Sequence, residues 1–310
     1  MKNVFLIKSG DISKKSLPVR RKRSKAYKHL FALGAKRGLK MAWSSSDNFV
    51  GSKFNAYYVV DGGKWKLEKK PLKPDFILDK SYATLAMDQK KIMAVKAPFM
   101  DPIQLQLLVN DKFLTAAAFP GLIQPGIIVR TKDQLIAGLK KIKTNDVVIK
   151  PLASSGGREI EILPKQKMAK YKLSRPMLIQ EFIDSSKGVP GLYKGIHDFR
   201  LLFLSNKLVH AYIRTTAPNS KLCNVALGGG RVIVPLNKVP KEMLQISKVF
   251  QKRFAQFHNS FYSIDFMYKD GKKPIVIEAN VKPGLVGGDG TSEHHKILYT
   301  ALLDHIEKFV

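Results

Sequence analysis

The chain has 310 residues, 45% of them hydrophobic, which is enough to bury real cores in two or three lobes and excludes a disordered tail or a small stapled domain. Its 54 Lys plus Arg against 24 Asp plus Glu leave a net charge of +30, a field suited to polyanionic substrates or partners. One cysteine, Cys223, excludes an intramolecular disulfide and a zinc ribbon, and no apolar run resembles a signal peptide or a membrane span, so a soluble cytoplasmic protein is expected.

Residues 1–94 read as an open-sheet α/β domain. A buried-type strand at Val4–Ile7 is followed by a basic run (Lys14, Lys15, Arg20 to Arg23, Lys25) and a helix over Lys25–Arg37 that Gly38 ends. Strands then follow at Leu39–Trp43, at Tyr57–Val60 and Trp65 around an Asp61-Gly62-Gly63 turn, and at Phe76–Leu78. Residues 95–183 read as an α+β lobe: a helical pattern over Met93–Phe119 closed by Pro120, a strand at Ile127–Val129, a capping box at Thr131–Gln134, and strands at Val147–Lys150, Ile160–Leu163 and Met177–Glu181. Residues 184–310 form a second α+β lobe, with strands near Phe199–Leu204 and Leu208–Ile213, a helix over Lys241–His258 and a last helix over Ile297–Phe309, whose opening His294-His295 pair reads as a surface feature.

The strongest chemical signal is near the C-terminus. Asp265 lies in the apolar run Ser263–Met267, and Glu278 and Asn280 interrupt Ile275–Val281; the Asp270-Gly271 step between the two runs marks a hairpin. Two residues apart on a strand, Glu278 and Asn280 share a face, and antiparallel pairing can bring Asp265 beside them. Three oxygen-bearing side chains on a greasy ribbon suit magnesium, which a protein holds by one or two carboxylates together with nucleotide phosphates. A second signal is Lys150, which ends an apolar strand before Pro151-Leu152-Ala153-Ser154-Ser155-Gly156-Gly157-Arg158. Small residues let backbone N–H groups approach an anion, and the lysine adds a point charge, although the order of a Walker loop is absent.

Taken in order, Asp111-Lys112, Val148–Pro151 with Ser155–Gly157, Ile179–Ile183, Asp198-Phe199-Arg200, Asn224–Gly229, and Asp265 with Glu278-Ala279-Asn280 resemble an ATP-grasp enzyme, in particular glutathione synthetase and the ribosomal-protein glutamate ligases. The resemblance covers about Asp111 to Val286. It implies an N-terminal α/β domain and two α+β lobes that clasp ATP between them. It also implies that Lys112 and Lys150 contact the phosphates, that Ser155, Gly156 and Gly157 close over them, and that Gln180, Glu181, Phe182 and Ile183 border adenine. Asp265, Glu278 and Asn280 would hold two magnesium ions, Glu278 bridging, and Arg214 would neutralise the transferred phosphoryl group beside Asn224. Asp198, Arg200, Lys221, Gly228 and Gly229 would line the substrate side. One departure stands out: relatives often carry an arginine two residues before the asparagine, where this chain has Leu222 with Lys221 beside it.

The activity implied is ATP-dependent joining of a carboxylate to an amine through an acyl-phosphate, on an amino acid or an acidic peptide. Two alternatives stay open: a kinase on the same fold, and nucleic-acid binding through the basic run at Lys14–Lys25, which lacks the interleaved aromatics of a stacking platform.

Overall fold

Val4 to Ile7 are apolar at every position because their strand is covered on both faces, as strands of parallel sheets are. The computed structural model describes residues 1–8, 21–81, 87–153, 159–223, 228–285 and 290–310. It sets this run in β1 (Lys2–Lys8), between β2 (Leu39–Ser45) and β7 (Phe76–Asp79), both parallel to it. A hairpin of β5 (Tyr57–Asp61) and β6 (Lys64–Glu68) extends one edge and β8 (Phe99–Met100) the other; β3 (Phe49–Val50) and β4 (Lys53–Phe54) form a separate small ladder. Gly62 and Gly63 both have positive φ (52° and 71°), the backbone a two-residue hairpin turn requires. Helices α1 (Arg21–Lys36) and α8 (Glu293–Ile306) cover one face of the sheet, and α2 (Met87–Lys96) contributes Met93 to the core on the other.

The helical pattern over Met93–Phe119 is not one helix. It breaks after α2 and resumes as α3 (Ile103–Asn110) and α4 (Lys112–Ala118). Pro98 and Pro102 withdraw backbone donors, Asp101 takes a left-handed φ of 65°, and Asp111 caps α4 by accepting from the N–H groups of Phe113 and Leu114. Leu105, Val109 and Phe119 from this stretch join the core of the C-terminal sheet.

The central sheet is antiparallel, in the order β11 (Glu161–Pro164), β10 (Asp146–Pro151), β12 (Met177–Glu181), β9 (Ile127–Val129). Helices α5 (Lys132–Lys141) and α6 (Lys165–Met168) close its core. At Gly138 an added Cβ would stand 2.9 Å from Ile179 Cδ1, so glycine is what lets α5 lie this close to β12. Thr131 caps α5 through Gln134 N, but the Gln134 side chain accepts from Arg130 N instead of closing the box on Thr131.

The C-terminal sheet runs β15 (Arg231–Ile233), β14 (Lys207–Thr215), β13 (His197–Leu204), β16 (Phe261–Lys269), β17 (Lys273–Val281), all antiparallel, with α7 (Lys241–Phe254) on one face. Strand alternation on β13 sorts the chemistry: Phe199, Leu201 and Phe203 enter the core with α7, while Asp198, Arg200, Leu202 and Leu204 take the other face. The apolar end of that second face receives α8, and the polar end is left for the site. The final helix thus starts earlier than its apolar pattern suggested, and His294 and His295 are buried because its first turn packs against His210 and Tyr212 of β14 while Tyr299, one turn on in the same helix, lies beside His295.

Candidate active site

Asp265 and Glu278 are direct cross-strand partners on β16 and β17, joined by a turn in which Asp270 and Gly271 both have positive φ. The register slips by one residue between Asp265 and Phe266, so Ile277 is an extra residue on β17 and both Ile277 and Glu278 line the cleft. A bulge of this kind re-aims a side chain that strict alternation would turn away. Asn280 lies next to both carboxylates, its Nδ2 3.1 Å from Asp265 Oδ2 and 2.9 Å from Glu278 Oε1.

Asp265 is fully buried and serves as the hub of an ion network. Arg200 grips it with two nitrogens, at 2.7 and 2.5 Å. Arg214 donates Nη2 to Asp265 at 2.8 Å and also forks onto Asp198 through Nε and Nη2. Burial works against the charged carboxylate at Asp265, but the Arg200 and Arg214 guanidiniums outweigh it and hold the group below its usual range. Asp198, more weakly compensated, is pushed up to about 7 by burial and by the facing Asp265 charge. Arg200, expected on the substrate side, has its Nε and Nη2 committed to Asp265.

Opposite this wall stands the central lobe. Lys150, 7% exposed at the end of β10, and Lys112, at the start of α4, line a narrow cleft with Thr115, Leu178, Gln180, Ile277 and Glu278. The backbone ties the two lysines together, Lys112 N donating to Leu152 O at 3.1 Å. Burial and the neighbouring Lys112 charge push Lys150 down to about 8, against the pull of Glu278 and Asp265.

The segment after β12 is held by a residue that sequence reasoning missed. Gln124 N donates to Val276 O at 2.8 Å, its side chain donates to Glu181 O at 3.2 Å, and its own carbonyl accepts from Gln180 Nε2 at 2.7 Å. It stitches the magnesium-type ribbon to the strand that borders the cleft. The Glu181 carboxylate accepts from Lys143 N at 2.8 Å. Ile183 is buried, and Phe182 lies under the Lys221 ammonium at 5.2 Å. Lys221 pairs with Asp146 at 2.5 Å. Lys221, expected on the substrate side, thus lies between the Phe182 ring and the Asp146 carboxylate. Gly228, with φ of 95°, and Gly229 lead into β15. Arg231, also missed, pairs in register with Arg214 and so shares its face; its signal was the one used for Glu278, a charged residue in an otherwise apolar strand. Ser155, Gly156, Gly157, Arg158 and Asn224 lie outside the described residues, as do Lys14, Lys15 and Arg20 of the basic run; Arg21 to Lys25 fall on α1.

The donor chemistry fits a hard cation. Among the described residues no three His, Cys, Asp or Glu side chains gather, so the set is two carboxylates and one carboxamide. Turning the Asn280 amide by half a turn would put Oδ1 where Nδ2 now meets both carboxylates, and amide orientation follows the local hydrogen-bond network. No helix among the described residues is long and apolar enough to cross a membrane.

Comparison with known proteins gives a consistent outcome. A family model described as ATP-grasp domain matches residues 109–284. A "Probable alpha-L-glutamate ligase" of Shewanella pealeana is 25% identical over 169 residues, 52% of this chain and 33% of that protein. "Glutamate--LysW ligase ArgX" of Sulfurisphaera tokodaii is 26% identical over 190 residues, 57% of this chain and 62% of that protein. The chain thus spans between one third and less than two thirds of the length of these curated relatives. Among solved structures, a RimK domain protein of Sphaerobacter thermophilus superposes with a TM-score of 0.63 at 13% identity, covering 100% of this chain and 99% of that one. A D-alanine–D-alanine ligase of Bacillus anthracis, complexed with ATP, does so with 0.63 at 14%, covering 100% and 97%.

Proposed function

The chain belongs to the ATP-grasp domain family, and from that premise we propose that it is an ATP-dependent ligase joining a carboxylate to an amine, with glutamate the first substrate to test. The observation that carries this reading is the pair of opposed walls: Lys112 and Lys150 on one side of the cleft and Glu278, backed by Asp265 and Asn280, on the other. Glutamate enters because both curated relatives described above carry it in their names.

A carboxylate resists attack by an amine because oxide is a poor leaving group, so it must first be activated. In the proposed reaction a carboxylate oxygen attacks the γ-phosphorus of ATP and the bond to ADP breaks; the amine then adds to the acyl carbon and phosphate leaves with its pair of electrons, giving the amide, ADP and phosphate. Lys112 and Lys150 bind the phosphates, and the buried position of Lys150 keeps its charge poorly screened and therefore effective. Arg214, with Nε and Nη2 on carboxylates, directs its remaining nitrogen at the charge that develops on transfer. Arg200 holds Asp265 ionised and oriented. Asp265, Glu278 and Asn280 would hold magnesium, two ions on the reading above, which supplies charge neutralisation for the phosphoryl oxygens.

The test is product mass with purified protein, magnesium, ATP, L-glutamate and glutamate-ended peptides. ADP together with a product one water lighter than its two parents is expected. ADP with a phosphorylated acceptor would make the protein a kinase.

A further inference from the structure

Arg231 is the one arginine on the site face for which, among the described residues, no carboxylate partner exists. Arg200 and Arg214 are each forked onto aspartates. Arg231, by contrast, is largely withdrawn from solvent, with a buried Nε that makes no hydrogen bond. A half-buried guanidinium whose Nε is shut off from water and unbonded is costly unless something anionic arrives to meet it. Its neighbours raise that cost, because burial and the Arg200 and Arg214 charges all act to lower its affinity for a proton.

Its position says which anion. Arg231 lies on β15, the edge strand farthest from β17, four strand spacings from Glu278 or about 19 Å along the sheet. Arg214 leans toward β16, whereas Arg231 lies over the Tyr212 ring at 5.6 Å, toward α8. Tyr212 in turn meets the His294 ring edge-on at 4.9 Å, and His294 Nδ1 is 2.8 Å from His210 Nε2. Burial pushes His210 down to about 4 and His294 down to about 2, so both are neutral around pH 7 and Arg231 supplies the local charge. A phosphate held at Glu278 is out of place here.

We infer that Arg231 is the anchor of an anion subsite on the Tyr212 side of the sheet, which takes a substrate carboxylate other than the one being activated. This rests on the ligase reading above. The flat guanidinium, stacked on an aromatic ring, offers its edge to a carboxylate in the two-point geometry a lysine cannot reproduce. It also supplies, from β15, a second arginine where the Leu222 position has none.

The experiment is calorimetric titration of the full chain, wild type, R231Q and R231K. Magnesium-ADP is titrated first, and equal affinity in all three is expected; failure of the wild type to bind it overturns the ligase reading, and the carboxylate titrations are then run on the free protein, where they test anion binding at Arg231 by itself. ADP-saturated protein is then titrated with glutarate, L-alanine and propionate. Glutarate should bind wild type about 10-fold more tightly than propionate, R231Q should abolish that difference, and R231K should restore only part of it. If L-alanine shares the advantage, the carboxylate recognised is that of the amino acid; if only glutarate does, it is the second carboxylate of the acid substrate. Equal binding by wild type and R231Q, or no carboxylate binding by wild type, overturns the inference. Because Arg231 sits on an edge strand and makes no bond through Nε, the two variants should melt with the wild type.

Discussion

Two buried ionic clusters in this molecule look alike in composition and differ in construction. At the junction of the N-terminal sheet with the end of β17, Asp79 accepts from Ser81 N and Oγ on one oxygen, and from Gln106 and Lys282 on the other, with Lys90 at 3.5 Å. That carboxylate is saturated and held below its usual range, burial opposing and Lys282 and Lys90 prevailing. In the cleft, Asp265 and Asp198 share Arg214 and Asn280 bridges two carboxylates, and Arg231 on the same face has no acid beside it among the described residues. The first cluster completes itself and fastens lobes together. The second, under the proposed function, would be completed by phosphates, a cation and substrate, as an electrostatic site should be.

Breaking the first cluster should cost most in stability. D79A leaves Lys90 and Lys282 buried without their counter-charge, and urea unfolding should show a loss of about 3–5 kcal/mol. E278Q tests the second cluster: turnover measured by ADP release should fall by about 10²–10³-fold while the urea midpoint stays near wild type. K150Q sharpens the contrast through pH. Lys150 sits at about 8 in the free protein, so its ammonium is lost as pH rises through that value, and nucleotide affinity should weaken from pH 7 to pH 9. In K150Q the affinity should start about 10-fold lower and be flat over the same range. The smallest effect is expected from S81A, which removes one of several donors on Asp79 and should cost about 1 kcal/mol with turnover unchanged.

How readable each cluster was in the sequence follows from its construction. Glu278 and Asn280 betray themselves as polar residues breaking an apolar strand two positions apart, and the Asp270-Gly271 turn brings Asp265 to them with little freedom. Lys150 was legible for the same reason. The Ile277 bulge was not, since a one-residue slip depends on pairing across the sheet and leaves no local mark. Asp79 and Lys282 are 203 residues apart, so no window of sequence contains both. Most strands of the three larger sheets were visible from their apolar runs, but the short edge strands β8 and β15 were not; the break-up of Met93–Phe119 was lost because the apolar spacing continues across Pro98 and Pro102 while the partner surface changes from one sheet to another. His294 and His295 were read as exposed because burial of a helix start depends on what α8 packs against, here Tyr212 from a distant strand.

The central claim is that a substrate carboxylate takes the γ-phosphoryl group before an amine displaces it. The direct measurement is to supply L-glutamate or a glutamate-ended peptide labelled with oxygen-18 in its carboxyl groups, with magnesium-ATP and unlabelled acceptor, and to read the mass of the phosphate released. One oxygen-18 atom in each phosphate, formed in step with amide, is the predicted result; amide formed alongside wholly unlabelled phosphate would contradict the acyl-phosphate route.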